Sequence, residues 1–585
     1  MCGIVGILGK DAVAADIVDA LKRLEYRGYD SAGVATVENG HLDRRRAEGK
    51  LRNLEARLKE APLVGRIGIG HTRWATHGPP TERNAHPHMT EDVSVVHNGI
   101  IENFRELKED LTASGVTFST DTDTEVVAHL ITRERNGGAS PVDAVQKALS
   151  KLEGAFALAI VFSGEDNLMI GARNGPPLAV GHGSGEMYLG SDAVALAPFT
   201  DTITYLDDGD WVVLTRDSMD VRDASGNSVE RPVTKSVASA LLVDKGNHRH
   251  FMAKEIYEQP EVIGHTLSHY LDFAAGKVRD LSSLLDFSKV SRVTISACGT
   301  AYYAGMVGKY WFEQYARLPV DVDVASEMRY REPPMEDGGL TILVSQSGET
   351  ADTLATLRYA RGTGQQIASI VNVRESTIAR ESDVVLPILA GPEIGVASTK
   401  AFTCQLSVLA ALAISAGKQR GLIDEARERE LVEGLAEVPR HISSMLRHEE
   451  RYEAIAHDLS KARDVLYLGR GIHFPLAMEG ALKLKEISYI HAEGYAAGEL
   501  KHGPIALIDE NVPVIVVAPE DELFEKTISN VQEVAARGGK IVFISDAPPE
   551  KAGCPIDAAF DVPKAHCFVN PLLYAVPVQL LAYHT

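Results

Sequence analysis

Residues 3–9, Gly3-Ile4-Val5-Gly6-Ile7-Leu8-Gly9, are apolar without a break, the pattern of a strand buried on both faces. Apolar positions then recur at helical spacing over 11–27 and stop at Gly28, which fits a helix C-cap. Strand-like runs follow at 31–37, 66–71, 94–97, 155–162 and 211–215, with helical periodicity at 103–114, 123–136 and 141–152. Many strands with few helices between them predict stacked, mostly antiparallel sheets with helices outside. Residues 216–285 lose this pattern. Positions 222–230 are polar and turn-rich, and 248–260 form a charged segment leading into a helix, so the stretch reads as an interdomain connection. His248, His250 and Phe251 suit an interface better than a metal, since no Asp or Cys stands at ligand spacing.

From 286 the pattern becomes strand, glycine turn, helix, and it occurs twice. Strand 293–297 leads through Cys298-Gly299-Thr300 into an apolar helix, and strand 341–344 through Ser345-Gln346-Ser347-Gly348-Glu349-Thr350 into another. Strands 465–468 and 512–517 repeat this, with turns at Gly469-Arg470-Gly471 and Pro519-Glu520. An internal duplication of a parallel, doubly wound α/β domain is predicted, with ligands at the carboxyl ends of the strands.

Length and composition narrow the picture. A chain of 585 residues exceeds one hydrophobic core. Its apolar runs read as too short to span a bilayer, and no signal peptide is apparent, so no membrane partner and a cytoplasmic location are expected. The net charge of −22 disfavours nucleic acid. Five scattered cysteines without a C-x-x-C pair predict a reducing compartment, no disulfide framework and no zinc.

Candidate chemistry begins at Cys2. Removal of the initiator methionine would leave thiol and α-amino group on one residue, so nucleophile and base come together. The plain alternative is an idle cysteine on a frayed terminus, but the strand that follows ties it to a core. His71-Thr72-Arg73-Trp74-Ala75-Thr76-His77-Gly78 closes a strand, and Arg73 can grip a carboxylate with two prongs. His97-Asn98-Gly99 offers a side-chain amide and a backbone N–H as oxyanion donors. Asp123 can face a substrate ammonium, while Asp121 reads as a helix N-cap.

These segments, with Leu24-Glu25-Tyr26-Arg27-Gly28-Tyr29-Asp30-Ser31, resemble the class II glutamine amidotransferases. The resemblance implies an N-terminal-nucleophile glutaminase domain over 1–215, a four-layer αββα sandwich. It implies that Cys2 is the nucleophile, that Asn98 and Gly99 form the oxyanion hole, and that Arg73, Thr76, His77 and Asp123 hold glutamine. Trp74 would gate an ammonia path, and Arg27 would lie near the nucleophile.

In the second half, Ser345, Ser347 and Thr350, with Gln346 and the helix N-terminal amides, can cradle a phosphate without a cation. The equivalent turn of the second copy, Ala518-Pro519-Glu520, cannot. Glu479, Lys483 and Glu486 share a helix face, where a solvated ion-pair face is the plain alternative, and His502 sits in a Gly-Pro-flanked loop. With Glu393-Ile394-Gly395-Val396-Ala397-Ser398-Thr399-Lys400, these segments resemble tandem sugar isomerase domains, here 286–425 and 426–585. That resemblance implies a transferase acting on glutamine and fructose 6-phosphate, opening hexosamine biosynthesis by making glucosamine 6-phosphate, with no metal or other cofactor. Gly299, Thr300, Ser345, Gln346, Ser347, Thr350 and Ser398 would bind the sugar phosphate. His502 would open the ring from a neighbouring subunit of a homodimer, Glu486 would move the proton between carbons, and Lys483 would assist.

Two departures from the resembled pattern matter. Ala301 stands where those domains carry serine, and the sequence stops at Thr585 within an apolar helix, before a tail that bears an isomerase-site lysine. An incomplete polypeptide, or a glutaminase with an impaired or sensor-like isomerase half, is therefore the competing expectation.

Overall fold

The structure, a computed structural model, describes residues 2–25, 28, 30–74, 78–235 and 247–585. The readings placed on Arg27, Thr76 and His77 lie outside the described residues. The chain forms two compact units, Met1–Asp244 and Lys245–Thr585.

The first unit has two sheets. Eight strands run in the order Val233–Lys235, Thr202–Tyr205, Ala179–His182, Met187–Gly190, Gly3–Leu8, Ile67–Arg73, Ser31–Glu38, His41–Glu48. Six run Met219–Arg222, Trp211–Leu214, Met169–Asn174, Gly154–Phe162, Val93–Ile101, His88–Met89, and neighbours are antiparallel in both sheets. Three apolar cores mark the layers. Ile17, Leu21 and Leu54 pack helices Ala14–Lys22 and Leu51–Glu60 on the eight-stranded sheet. Ile4, Ile69, Val96 and Ala159 fill the space between the sheets, and Val127, Ile131 and Val145 seat two further helices on the six-stranded sheet. Helix, sheet, sheet, helix is the expected αββα order. The unbroken apolar run at 3–9 arises because Gly3–Leu8 lies inside this stack, every residue of it buried.

The first helix is shorter than its periodicity suggests. It ends at Lys22 with Arg23 as C-cap, so Gly28 is not a helix cap. Gly28 is required by close approach: a Cβ there would lie 2.6 Å from the Arg73 carbonyl carbon and 2.6 Å from Trp74 N.

The second unit holds two parallel five-stranded sheets with the same strand order. The first runs Val320–Val324, Val293–Ala297, Leu340–Ser345, Gln366–Val371, Val384–Pro387, and the second His491–Ala496, Asp464–Gly469, Pro513–Val517, Lys540–Ser545, Ala558–Asp561. One apolar core joins both copies through helices Lys400–Gln419, Phe474–Ser488 and Asn570–His584. Contrary to the expectation from apolar run lengths, Lys400–Gln419 is long and apolar enough to cross a membrane. Its apolar window is entirely buried inside the unit, which accounts for that composition.

Candidate active sites

In the first unit, pairing of Gly3–Leu8 with Ile67–Arg73 sets Gly3 opposite Thr72 and Ile4 opposite His71. Cys2 is thereby delivered beside Trp74. The Trp74 N–H donates to Cys2 Sγ at 3.3 Å, and the thiol donates to the Trp74 carbonyl at 3.6 Å. Burial pushes the Cys2 pKa up, opposed by the Trp74 N–H, so the resting group is a thiol that needs a base. The other sheet supplies Asn98, whose Nδ2 donates to the Cys2 carbonyl at 3.0 Å. Gly99 follows at φ +122°, and a Cβ there would lie 2.0 Å from the Ala155 oxygen. No other residue fits.

Arg73 is buried and donates to the Gly78 and Pro79 carbonyls at 3.1 and 3.3 Å, closing the loop after the strand. Burial lowers its pKa, countered by the nearby Cys2, Asp123 and Asp30. Asp123 is buried and accepts the Ile101 N–H at 2.9 Å, which holds it beside the strand that carries Asn98. Trp74 stands 41% exposed, so its indole is available at the rim rather than packed in the core. Asp121 is not a helix cap: it exchanges hydrogen bonds with Asn84, at 3.0 and 3.2 Å, and the helix begins later, at Glu125. Glu125 itself accepts from the backbone and hydroxyls of Ser119 and Thr120, locking the loop from within. Sequence reasoning missed His86 and His88, which line the buried side of this site with His71 and His97. Nothing local marks them beyond two histidines one residue apart just ahead of the strand Val93–Ile101.

In the second unit, the strand ending at Ser345 turns sharply into the helix Ala351–Gly362. Ser345 Oγ is 3.0 Å from Thr350 Oγ1 and accepts the Gly348 N–H at 3.0 Å; Ser347 Oγ accepts from Glu349 N at 3.2 Å. Gly348 takes φ +64°, and a Cβ would fall 1.9 Å from Ser376 Oγ, so this hydroxyl-lined loop closes only on glycine. Gln346 accepts the Asn372 N–H through its backbone carbonyl at 3.1 Å, and Gly299 begins its helix at φ +55°.

Thr300, from the first copy, donates to Glu479 of the second at 3.3 Å. That bond links the two copies of the repeat. On the same helix Lys483 lies 2.5 Å from Glu486 and 3.6 Å from Glu479, with Lys483 and Glu479 both fully buried. Burial pushes Glu479 up to about 8, against the pull of Lys483. Burial acts to lower Lys483, but Glu479 and Glu486 outweigh it and its pKa rises. A neutral Glu479 beside a Lys483–Glu486 pair leaves the triad without net charge, which is what a buried cluster requires. The solvated ion-pair face that spacing alone allowed is therefore excluded. Ser398 donates to Glu393 at 2.8 Å, and the same carboxylate takes the N–H groups of Thr399 and Ala401. His502, expected in a loop, is the exposed last residue of the short 3-10 helix Ala497–His502 and makes no side-chain hydrogen bond or ion pair with a described residue.

Sequence reasoning also missed Glu255, buried in the helix Phe251–Tyr270, which accepts the backbone N–H groups of Ile394 and Gly395 and so braces the loop leading to Ser398. Burial and then Glu393 push its pKa up to about 8. Gly395 is required by this contact, since a Cβ there would meet the Glu255 carboxylate at 2.5 Å, a closeness that nothing local in the sequence marks.

Comparison with known proteins agrees with both halves. A glutamine amidotransferase domain profile matches residues 71–198, and a SIS domain profile matches 286–415 and 458–585. The glutamine–fructose-6-phosphate aminotransferase [isomerizing] of Brucella suis biovar 1 is 67% identical over the whole of this chain and 96% of its own length. That of Mesorhizobium japonicum is 65% identical with the same coverage. Among solved structures, the C-terminal domain of glucosamine-fructose-6-phosphate aminotransferase from Francisella tularensis is 43% identical, with a TM-score of 0.56, covering 58% of this chain and 96% of that one.

Proposed function

Because this chain belongs to the glutamine–fructose-6-phosphate aminotransferase (isomerising) family, we propose that it makes glucosamine 6-phosphate and glutamate from fructose 6-phosphate and glutamine. The observation that carries this reading is a set of candidate groups in each unit: a thiol with an amide donor beside it in one, a buried lysine–carboxylate cluster and a hydroxyl-lined loop in the other.

Cys2 attacks the glutamine side-chain carbonyl, with Asn98 Nδ2 and Gly99 N–H receiving the charge that develops on oxygen. The C–N bond breaks, ammonia leaves, and water releases glutamate from the thioester. The α-amino group freed on removal of Met1 serves as base. Arg73 takes the substrate α-carboxylate and Asp123 its ammonium, with Thr76 and His77 assigned to the same task, and Trp74 gates the exit of ammonia. Keeping ammonia from bulk water keeps it unprotonated.

In the second unit Gly299, Thr300, Ser345, Gln346, Ser347, Thr350 and Ser398 hold the sugar phosphate. His502, supplied by the neighbouring subunit of a homodimer, opens the ring. Ammonia condenses with carbon 2 and water leaves. Glu486 then carries a proton from carbon 1 to carbon 2, turning the ketose imine into an amino aldose, while Lys483 moves protons on the sugar oxygens. The step is a proton relay, for which a carboxylate that is still a third exposed beside a buried cation is suited.

Glutamate and glucosamine 6-phosphate should appear in equal amounts when both substrates are present. Cys2→Ala should abolish glutamine-dependent synthesis by on the order of 10³-fold or more while leaving synthesis from concentrated ammonium. Glutamate without amino sugar, with or without fructose 6-phosphate, would sink the reading in favour of a glutaminase with an idle isomerase half.

A further inference from the structure

His71 has a hydrogen-bonding arrangement that settles more than its own orientation. Its Nε2 lies 3.0 Å from the His97 carbonyl oxygen and 3.0 Å from Asn98 Oδ1. A carbonyl only accepts, so Nε2 carries the hydrogen. The ring is fully enclosed, and burial lowers its pKa to about 3, so it is neutral and has that single N–H. The Asn98 atom facing an N–H must then be oxygen. The amide nitrogen is forced to the other side, where it stands 3.0 Å from the Cys2 carbonyl. Turned over, the same amide would aim an acceptor at the place where negative charge develops.

The bond also crosses between layers. His71 sits on Ile67–Arg73 of the eight-stranded sheet, opposite Ile4 in the strand that follows Cys2, whereas Asn98 sits on Val93–Ile101 of the six-stranded sheet. Nucleophile and oxyanion donor therefore come from different sheets, and the spacing between them is a spacing between sheets. The ring has little freedom to leave this position. His86 stacks on it at 4.2 Å and 21°, and is itself fixed by accepting the His97 N–H on Nδ1 at 3.2 Å and bonding Thr124 Oγ1 through Nε2 at 3.3 Å.

We propose that His71 is a positioning residue for glutamine hydrolysis, its Nε2–H holding the Asn98 amide with the donor side toward Cys2 and pinning the two sheets together at that point. The inference rests on the assignment of Asn98 to the oxyanion hole. It does not require His71 to touch glutamine.

The test compares His71→Phe, which keeps a ring and loses the donor, with His71→Gln, which keeps an N–H of similar reach, alongside Asn98→Ala and the His71→Phe/Asn98→Ala double variant, all in the full chain. Glutamine hydrolysis by His71→Phe should lose on the order of 10²-fold in kcat with KM little changed, the loss typical of a misplaced oxyanion donor. His71→Gln should recover to within about tenfold, and His71→Phe should add less than about threefold to Asn98→Ala. Alkylation of Cys2 by iodoacetamide forms an S–C bond and expels iodide without creating an oxyanion. Its rate, followed by mass spectrometry, should match the parent in both His71 single variants, which separates misplacement from misfolding. His71→Phe that keeps its kcat while Asn98→Ala loses 10²-fold overturns the inference and leaves the oxyanion assignment standing. So does a His71 effect that multiplies with that of Asn98→Ala, or a His71→Gln no better than His71→Phe. Asn98→Ala with undiminished kcat overturns the assignment itself.

Discussion

Lys483 Nζ stands 2.5 Å from Glu486 Oε2, the lysine fully buried and the glutamate a third exposed, so the pair has one end sealed in protein and one open to solvent. Removing the cation leaves the Glu486 carboxylate without its ion-pair partner. Lys483→Met should cut amino-sugar formation by roughly 10²-fold or more, the range for loss of a positioned proton-transfer group. Glutamine hydrolysis in the other unit should continue. A simultaneous loss of both activities would contradict separate roles for the two sites.

Glu479 gives the pH prediction. Its carboxyl is held up to about 8 in the fold from an ordinary value of 4.5, first by burial, so the native state keeps a proton that the unfolded chain has already released. Unfolding between those two values releases that proton, and stability falls as pH rises through the window, with the full contribution present below about 4.5. Glu479→Gln, neutral at every pH, should remove this slope. The melting temperature of the variant relative to the parent should rise steadily from pH 5 to pH 8. Parallel melting curves across that range would show that the native carboxyl is ionised.

Gly28 tests how the nucleophile is held. A methyl group there must displace the Arg73–Trp74 peptide, whose N–H reaches Cys2 Sγ. Gly28→Ala should lower kcat for glutamine hydrolysis by roughly 10- to 10²-fold, since about 1 Å of misplacement costs that much. Synthesis from ammonium should be unaffected. An unchanged glutaminase rate would mean that the Trp74 N–H is not needed to seat the thiol.

Much of both candidate sites was legible because their residues fall in short runs at or near strand ends. Ser345–Thr350 sits where a buried strand meets a turn, a place that exposes polar groups on a rigid support, whereas Asn98-Gly99 lie within the strand Val93–Ile101, where burial gives way to exposure at Gly99. Three readings were changed by distance in space. Gly28 looked like a helix cap and is instead a gap left for the Arg73–Trp74 backbone. Asp121 looked like an N-cap and is paired with Asn84. The apolar runs looked too short to span a bilayer, whereas helix Lys400–Gln419 is long and apolar enough and is buried in the core that both copies share. Glu255, His86 and His88 were not found at all, since each acts on a segment remote in sequence and none has a local pattern that sets it apart.

The order of amino acids alone determined the alternation of strands and helices, the duplication of the second half, and which residues are candidates for nucleophile, oxyanion donors, phosphate-binding hydroxyls and proton-carrying carboxylates, because periodicity and turn chemistry are local properties. Only the tertiary structure decided their states. Glu479 is held neutral because the fold removes it from water, Thr300 meets it because two copies share one core, and the Asn98 amide faces Cys2 because a histidine on the opposite sheet faces its oxygen. Charge state and amide orientation depend on what surrounds a group, and those surroundings come from residues far along the chain.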